Sequence, residues 1–151
     1  MKKISLLAAL FIALTAVAST AVAQQSREFN DYIVHYNALR TDLLPPQVAQ
    51  GYGIQRSSSR ALLNVTVMNK PESAGEAETA VPASIAVHAA NLTGQRRDIR
   101  LREIRDAEGA IYYVGEFPVH NLETYQFKLE VLPEGEPEPL LVEFRQQFYT
   151  E

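Results

Sequence analysis

Thr124-Tyr125-Gln126-Phe127-Lys128-Leu129-Glu130-Val131-Leu132 sets an aromatic or aliphatic side chain at every second position, with Gln126, Lys128 and Glu130 between them. Successive side chains of a strand point to opposite faces, so this stretch predicts a strand with one face in a core and the other in water. Pro133-Glu134-Gly135-Glu136-Pro137-Glu138-Pro139 breaks the period, and Leu140 to Tyr149 resumes it with Leu140, Val142, Phe144 and Phe148 on one side. The two runs read as a hairpin.

Working outward, Ala110 to Phe117 is rich in Ile, Tyr, Val and Phe, and Asp106-Ala107-Glu108-Gly109 before it is a turn with Gly where positive φ is needed. Arg97 to Ile104 precedes that turn as one further strand, with Ile99 and Leu101 on one face and Arg100 and Arg102 on the other. Ser84 to Ala90, Arg60 to Met68 and Glu28 to Ala38 complete a set of seven. Asn69 to Thr79 has no apolar period and reads as an exposed loop. Pro45 to Gly53 reads as a short helix, with proline in the first turn and Gly53 free to take the left-handed conformation that ends it. Short strands separated by turn signals predict an all-β fold, an antiparallel β-sandwich of about seven strands with one short helix in a connecting loop.

Leu122-Glu123-Thr124-Tyr125, followed by the alternating run, resembles the tyrosine-corner region of fibronectin type III and related immunoglobulin-like domains. The resemblance implies structural roles for Leu122 and Tyr125: the ring fills the core while the hydroxyl bonds to backbone at the connection. The chain has no cysteine and no tryptophan, so the disulfide and core Trp of antibody domains are absent.

The N-terminus reads as an export leader. Lys2 and Lys3 precede an uncharged run from Ile4 to Val17, and Ala21-Val22-Ala23 follows, so cleavage after Ala23 is expected and residues 1–23 are a signal peptide. That run is too short to cross a bilayer, which takes about 20 apolar residues, and the mature chain holds no transmembrane segment. Residues 24–151 then form a single domain located in the periplasm. Loss of Lys2 and Lys3 leaves 12 Lys and Arg against 18 Asp and Glu, a formal charge of −6, so no nucleic acid partner is expected. The excess sits late: from Asp106 to Glu151 there are 2 basic and 10 acidic residues.

Phe29 to Ala38, Pro46-Gln47-Val48-Ala49 with Tyr52-Gly53-Ile54, Leu62-Leu63-Asn64-Val65 and the ending Gln147-Phe148-Tyr149 are similar to a family of small exported bacterial proteins catalogued as a domain of unknown function. The resemblance implies a location and a fold and carries no chemistry.

The residues themselves offer little chemistry either. His35, His88 and His120 lack metal-ligand spacing, so no metal and no cofactor is expected. Ser57-Ser58-Ser59 lacks the elbow that exposes a serine nucleophile. Arg96, Arg100 and Arg102 recur at alternate positions, where guanidinium groups can line up to hold carboxylates or phosphates. With Tyr52 and Arg56 of the helical segment, Arg100 and Arg102 form the candidate binding surface. The expected function is a non-enzymatic binding or assembly module for another envelope protein, of open oligomeric state. The alternative is a small periplasmic hydrolase using His35 or His120 with an acidic neighbour, and a membrane barrel is disfavoured because the strands are short with charged outer faces.

Overall fold

Tyr125, Phe127, Leu129 and Val131 are buried and Gln126, Lys128 and Glu130 are exposed, so the alternation of this stretch becomes the two faces of a strand. The computed structural model describes residues 25–151; the leader over Met1–Ala23 and its cleavage point lie outside the described residues. In chain order the strands are β1 (Gln25–Glu28), β2 (Tyr32–Arg40), β3 (Arg60–Asn69), β4 (Thr79–Ala80), β5 (Ala83–Asn91), β6 (Arg96–Asp98), β7 (Arg102–Arg105), β8 (Ile111–Pro118), β9 (Glu123–Pro133) and β10 (Leu140–Phe148). Between β2 and β3 lie a 3₁₀ turn, Thr41–Leu43, and a helix α1, Pro46–Gly51. Pro46 opens that helix, and Gly53 just beyond it has φ +66°.

All strand pairs are antiparallel. One sheet, A, runs β1-β2-β3-β8-β7 with β4 beside the end of β3; the other, B, runs β10-β9-β5-β6. The order β2-β3-β8-β7 against β10-β9-β5 is that of an immunoglobulin-like sandwich. Inward side chains of both sheets share one core. Phe117 meets Tyr125, Phe127 and Phe148 edge-on, and Phe144 stacks on both Tyr36 and Phe127 at 4.6 Å. Such pairs contribute about 0.5–1.5 kcal/mol each beyond the area they bury.

The described residues hold ten strands where about seven were expected, and one difference reorganises the molecule. Arg97 to Ile104 is not one strand. β6 pairs with β5 in sheet B and β7 pairs with β8 in sheet A, so Ile99-Arg100-Leu101 crosses from sheet to sheet. Ile99 is buried and its N–H donates to the Val87 carbonyl at 3.0 Å. The crossing runs over Gly115 of β8, where a Cβ would lie 2.8 Å from the Arg100 carbonyl and 2.7 Å from Leu101 Cδ2. Glycine is required there by the close approach of backbone.

Sheet A is also covered on its outer face. Leu62 and Val114 point away from the main core and are buried beneath Ala49 of α1 and Ile54, with Leu44, Ile104 and Tyr112 at the margin. Thr41 fastens this segment: it is 0% exposed, its hydroxyl lies 2.8 Å from the Gln55 carbonyl, and it accepts the Ser57 N–H at 2.9 Å.

Candidate functional site

The cationic line read from Arg96, Arg100 and Arg102 does not exist as such. The sheet switch puts Arg96 on β6, Arg100 in the crossing and Arg102 on β7 of the other sheet. Arg102 donates to the Tyr52 carbonyl, and Arg56 donates to the Asp42 carbonyl at 2.6 Å. Tyr52 and Arg102 therefore meet: Arg102 of β7 ties the segment over sheet A to its surroundings, and Arg56 closes that segment on itself at Asp42. Arg100 is exposed, with no carboxylate partner among the described residues.

The corner expected at Leu122 and Tyr125 is also built differently. Tyr125 is 3% exposed within the aromatic cluster, whereas Leu122 is 60% exposed with φ +62°, a turn residue and no part of the core. The Tyr125 hydroxyl faces the side chains of Glu123 and Arg97 instead of backbone. Burial raises its pKa first, the Glu123 charge adds to that, and Arg97 works against both. The bond to distant backbone belongs to Tyr113 of β8, which accepts the Ala83 N–H at 2.8 Å and donates to Glu103 at 3.2 Å. Burial is also the main cause that raises the Tyr113 pKa.

Glu123 organises the adjoining end of the sandwich. Its carboxylate accepts the Asn91 amide at 3.0 Å and the His120 backbone N–H at 3.0 Å. Burial pushes this carboxyl up, but those donors, with the Tyr125 hydroxyl and the His120 charge, hold it below its ordinary value.

The histidines fall apart spatially. His35 on the outer face of sheet A bonds Glu78 at 2.9 Å, and His88 on sheet B bonds Asp98 at 2.6 Å. Thr66 and Ser26 are the cross-strand neighbours of His35. Among the described residues no hydroxyl bonds its second ring nitrogen, and no three His, Asp or Glu side chains converge as a metal site would require.

The strongest assembled feature is one that reading along the chain passed over. Strand pairing lines up two rows across the outer face of sheet B. In the first, Glu143, Lys128, His88 and Asp98 stand side by side. This row neutralises itself, Lys128 with Glu143 at 3.6 Å and His88 with Asp98. The neighbouring row is Arg145, Gln126, Ala90 and Arg96, cationic at both ends with a neutral centre. At its β5–β6 end a groove of about 650 Å³ opens, lined by Arg96, Arg97 and Lys128 and by the His88–Asp98 pair, with Ala90 and Gln126 beside them. Gln126 and Lys128 were legible as outward positions of β9, but only the register sets them beside Arg96.

A family profile, Domain of unknown function (DUF4426), matches residues 26–151. The chain belongs to the DUF4426 family. A crystal structure of a DUF4426 family protein from Pseudomonas aeruginosa PAO1 is similar to it at 31% identity and TM-score 0.72, covering 87% of this chain and 98% of that one. FetP of uropathogenic Escherichia coli strain F11, crystallised as isolated after recombinant expression in the periplasm, matches at TM-score 0.59 and 11% identity, over 83% of this chain and 93% of that one. At that identity the likeness concerns the fold alone. No curated protein matches. For this DUF4426 chain, the functional reading therefore rests on its own side chains. Among the described residues no helix is long and apolar enough to cross a membrane.

Proposed function

We propose that this DUF4426 protein is an exported, non-enzymatic binding module of the periplasm that holds an anionic part of another envelope protein in the groove on sheet B. One observation carries the reading. In a chain with more acids than bases, Arg96 and Arg97, neither with a carboxylate partner among the described residues, line a groove together with the paired side chains Lys128, His88 and Asp98, on the sandwich face that nothing covers among the described residues. Guanidinium groups at a partly enclosed edge hold carboxylates or phosphates through paired N–H donors. The stretch Met1–Ala23, which reads as a leader with cleavage expected after Ala23, supports export.

A second surface, Tyr52, Arg56, Arg100 and Arg102, stays within the proposal because Arg100 is exposed and without a carboxylate partner among the described residues. Site-specific photo-crosslinking in intact producing cells separates the two. A crosslinkable residue at Gln126 is expected to capture an envelope protein, less so when Arg96→Ala and Arg97→Ala are present, while one at Tyr52 stays silent. Capture from Tyr52 alone moves the site to the Arg100 surface, and silence at both positions rejects the binding-module reading.

A further inference from the structure

Sheets A and B each end on two edge strands, and three of the four are short: β1 and β7 have 4 residues and β6 has 3. The fourth, β10, has 9. Its pairing to β9 runs without a bulge from Leu140 opposite Val131 to Phe148 opposite Glu123. Leu140–Phe148 contains no proline and no lysine. Bulges, Pro and Lys are the devices by which natural sheets blunt an edge. Alternate residues of an edge strand aim N–H and C=O away from their partner, so β10 offers a regular ladder of backbone groups along its length, engaged only near its end where the Gln146 amide donates to the Gln147 carbonyl at 3.4 Å.

The side chains on the outer face of β10 then select what pairs with it. They read Leu141, Glu143, Arg145 and Gln147. When two copies of one strand pair antiparallel about a two-fold axis, outward residues must oppose outward residues, so the axis passes through a residue and never between two. An axis at Glu143 sets Glu143 against its own copy, and an axis at Arg145 does the same to Arg145. Both are repulsive. An axis at Phe144 instead places Glu143 opposite the partner's Arg145, twice by symmetry, and Leu141 opposite the partner's Gln147. Arg145 has no carboxylate partner among the described residues, and Glu143 holds only Lys128, at 3.6 Å.

We propose that β10 pairs antiparallel with β10 of a second copy, with Phe144 on the two-fold axis, joining two B sheets into one of eight strands. The groove at Arg96 and Arg97 lies on the opposite edge of sheet B and stays open in each copy.

Sedimentation velocity of the purified protein over a concentration series at low salt tests this, with a sedimenting mass expected to rise to twice that of the chain. Arg145→Glu and Glu143→Arg, each placing like charges opposite one another, are expected to raise the dimer Kd at least tenfold. The two changes in one chain restore opposite charges at the same register and are expected to recover association. Thermal melts of all three variants check that these exposed changes leave the fold intact. Because the chain has no cysteine, Leu141→Cys with Gln147→Cys reports the register directly, by forming a covalent dimer on oxidation. A protein that stays monomeric at every concentration overturns the proposal. So does a double charge variant no tighter than the single ones, or oxidation that yields no covalent dimer.

Discussion

On the outer face of sheet A, Leu62 and Val114 lie buried beneath Ala49 and Ile54; on the outer face of sheet B, the corresponding outward positions carry His88, Ala90, Gln126 and Lys128 beside an open groove. The strands themselves account for the contrast. β3 runs Ala61-Leu62-Leu63, three buried residues in succession, and β8 runs Tyr113-Val114-Gly115 in the same way. Such runs mark strands buried on both faces, so something must cover them. β9 keeps strict alternation from Tyr125 to Val131, and its outer face stays in water. A break in the two-residue period thus tells where the fold has closed its surface and where a surface remains for a partner.

Leu62→Ala probes that difference most strongly. Beneath the covering segment it should cost about 2–5 kcal/mol through lost transfer energy and a cavity, or roughly 10 °C in melting temperature. Gln126→Ala on the open face should change stability by no more than about 0.5 kcal/mol. Equal losses in a thermal melt would mean that the face of sheet B is covered too.

Hydrogen bonds that close the covered side form the next tier. Thr41→Val removes, at a fully buried position, the hydroxyl that fastens Gln55 and Ser57, and leaves the half-buried Ser57 N–H without its acceptor. Chemical denaturation should show a loss of about 1–3 kcal/mol. Tyr113→Phe strands the Ala83 N–H and belongs in the same range. Tyr125→Phe leaves no backbone group without its partner and should lose less than Tyr113→Phe; the reverse order would restore the corner at Tyr125.

Glu123 gives a smaller and pH-dependent effect at the end of the sandwich. Its folded-state carboxyl lies below its ordinary value, so the stabilisation is complete above the unfolded carboxylate value of about 4.3 and is lost as pH falls through the folded value. Glu123→Gln should therefore melt below the parent at neutral pH, with the gap closing in acid. A gap that is constant down to the acid limit would show that the Asn91 and His120 bonds do not depend on the charge.

Local periodicity carried much of this fold. The β9–β10 hairpin, the positive φ of Gly109 and the helix ended by Gly53 each depend on residues within a few positions of one another, and each is found. The sheet switch could not be read that way, because Ile99 and Leu101 turn inward in one strand or in a crossing between two. Its marker, Gly115, lies well downstream and makes sense only once the crossing is seen to run over it. The site suffered for the same reason: Arg96 stands beside Gln126 through Ala90 by pairing alone. Reading along one strand joined Arg96 to Arg100 and Arg102, which the fold separates.

The smallest stability effects belong to the arginines, and they sharpen the comparison of faces most. Exposed charge contacts contribute about 0–1 kcal/mol, so Arg96→Ala with Arg97→Ala should leave the melting temperature almost unchanged. Arg102→Ala with Arg56→Ala removes the donors to the Tyr52 and Asp42 carbonyls, which hold the segment over Leu62 and Val114. That pair should lower stability slightly more and, in hydrogen exchange, speed the amides of Tyr52 and Ile54, whose acceptors lie within the same segment. Exchange over sheet B should stay as it was in both variants. If the Arg96 and Arg97 pair loosens sheet B as the other pair loosens the segment, those arginines serve the fold and the open face loses its claim to be a binding surface.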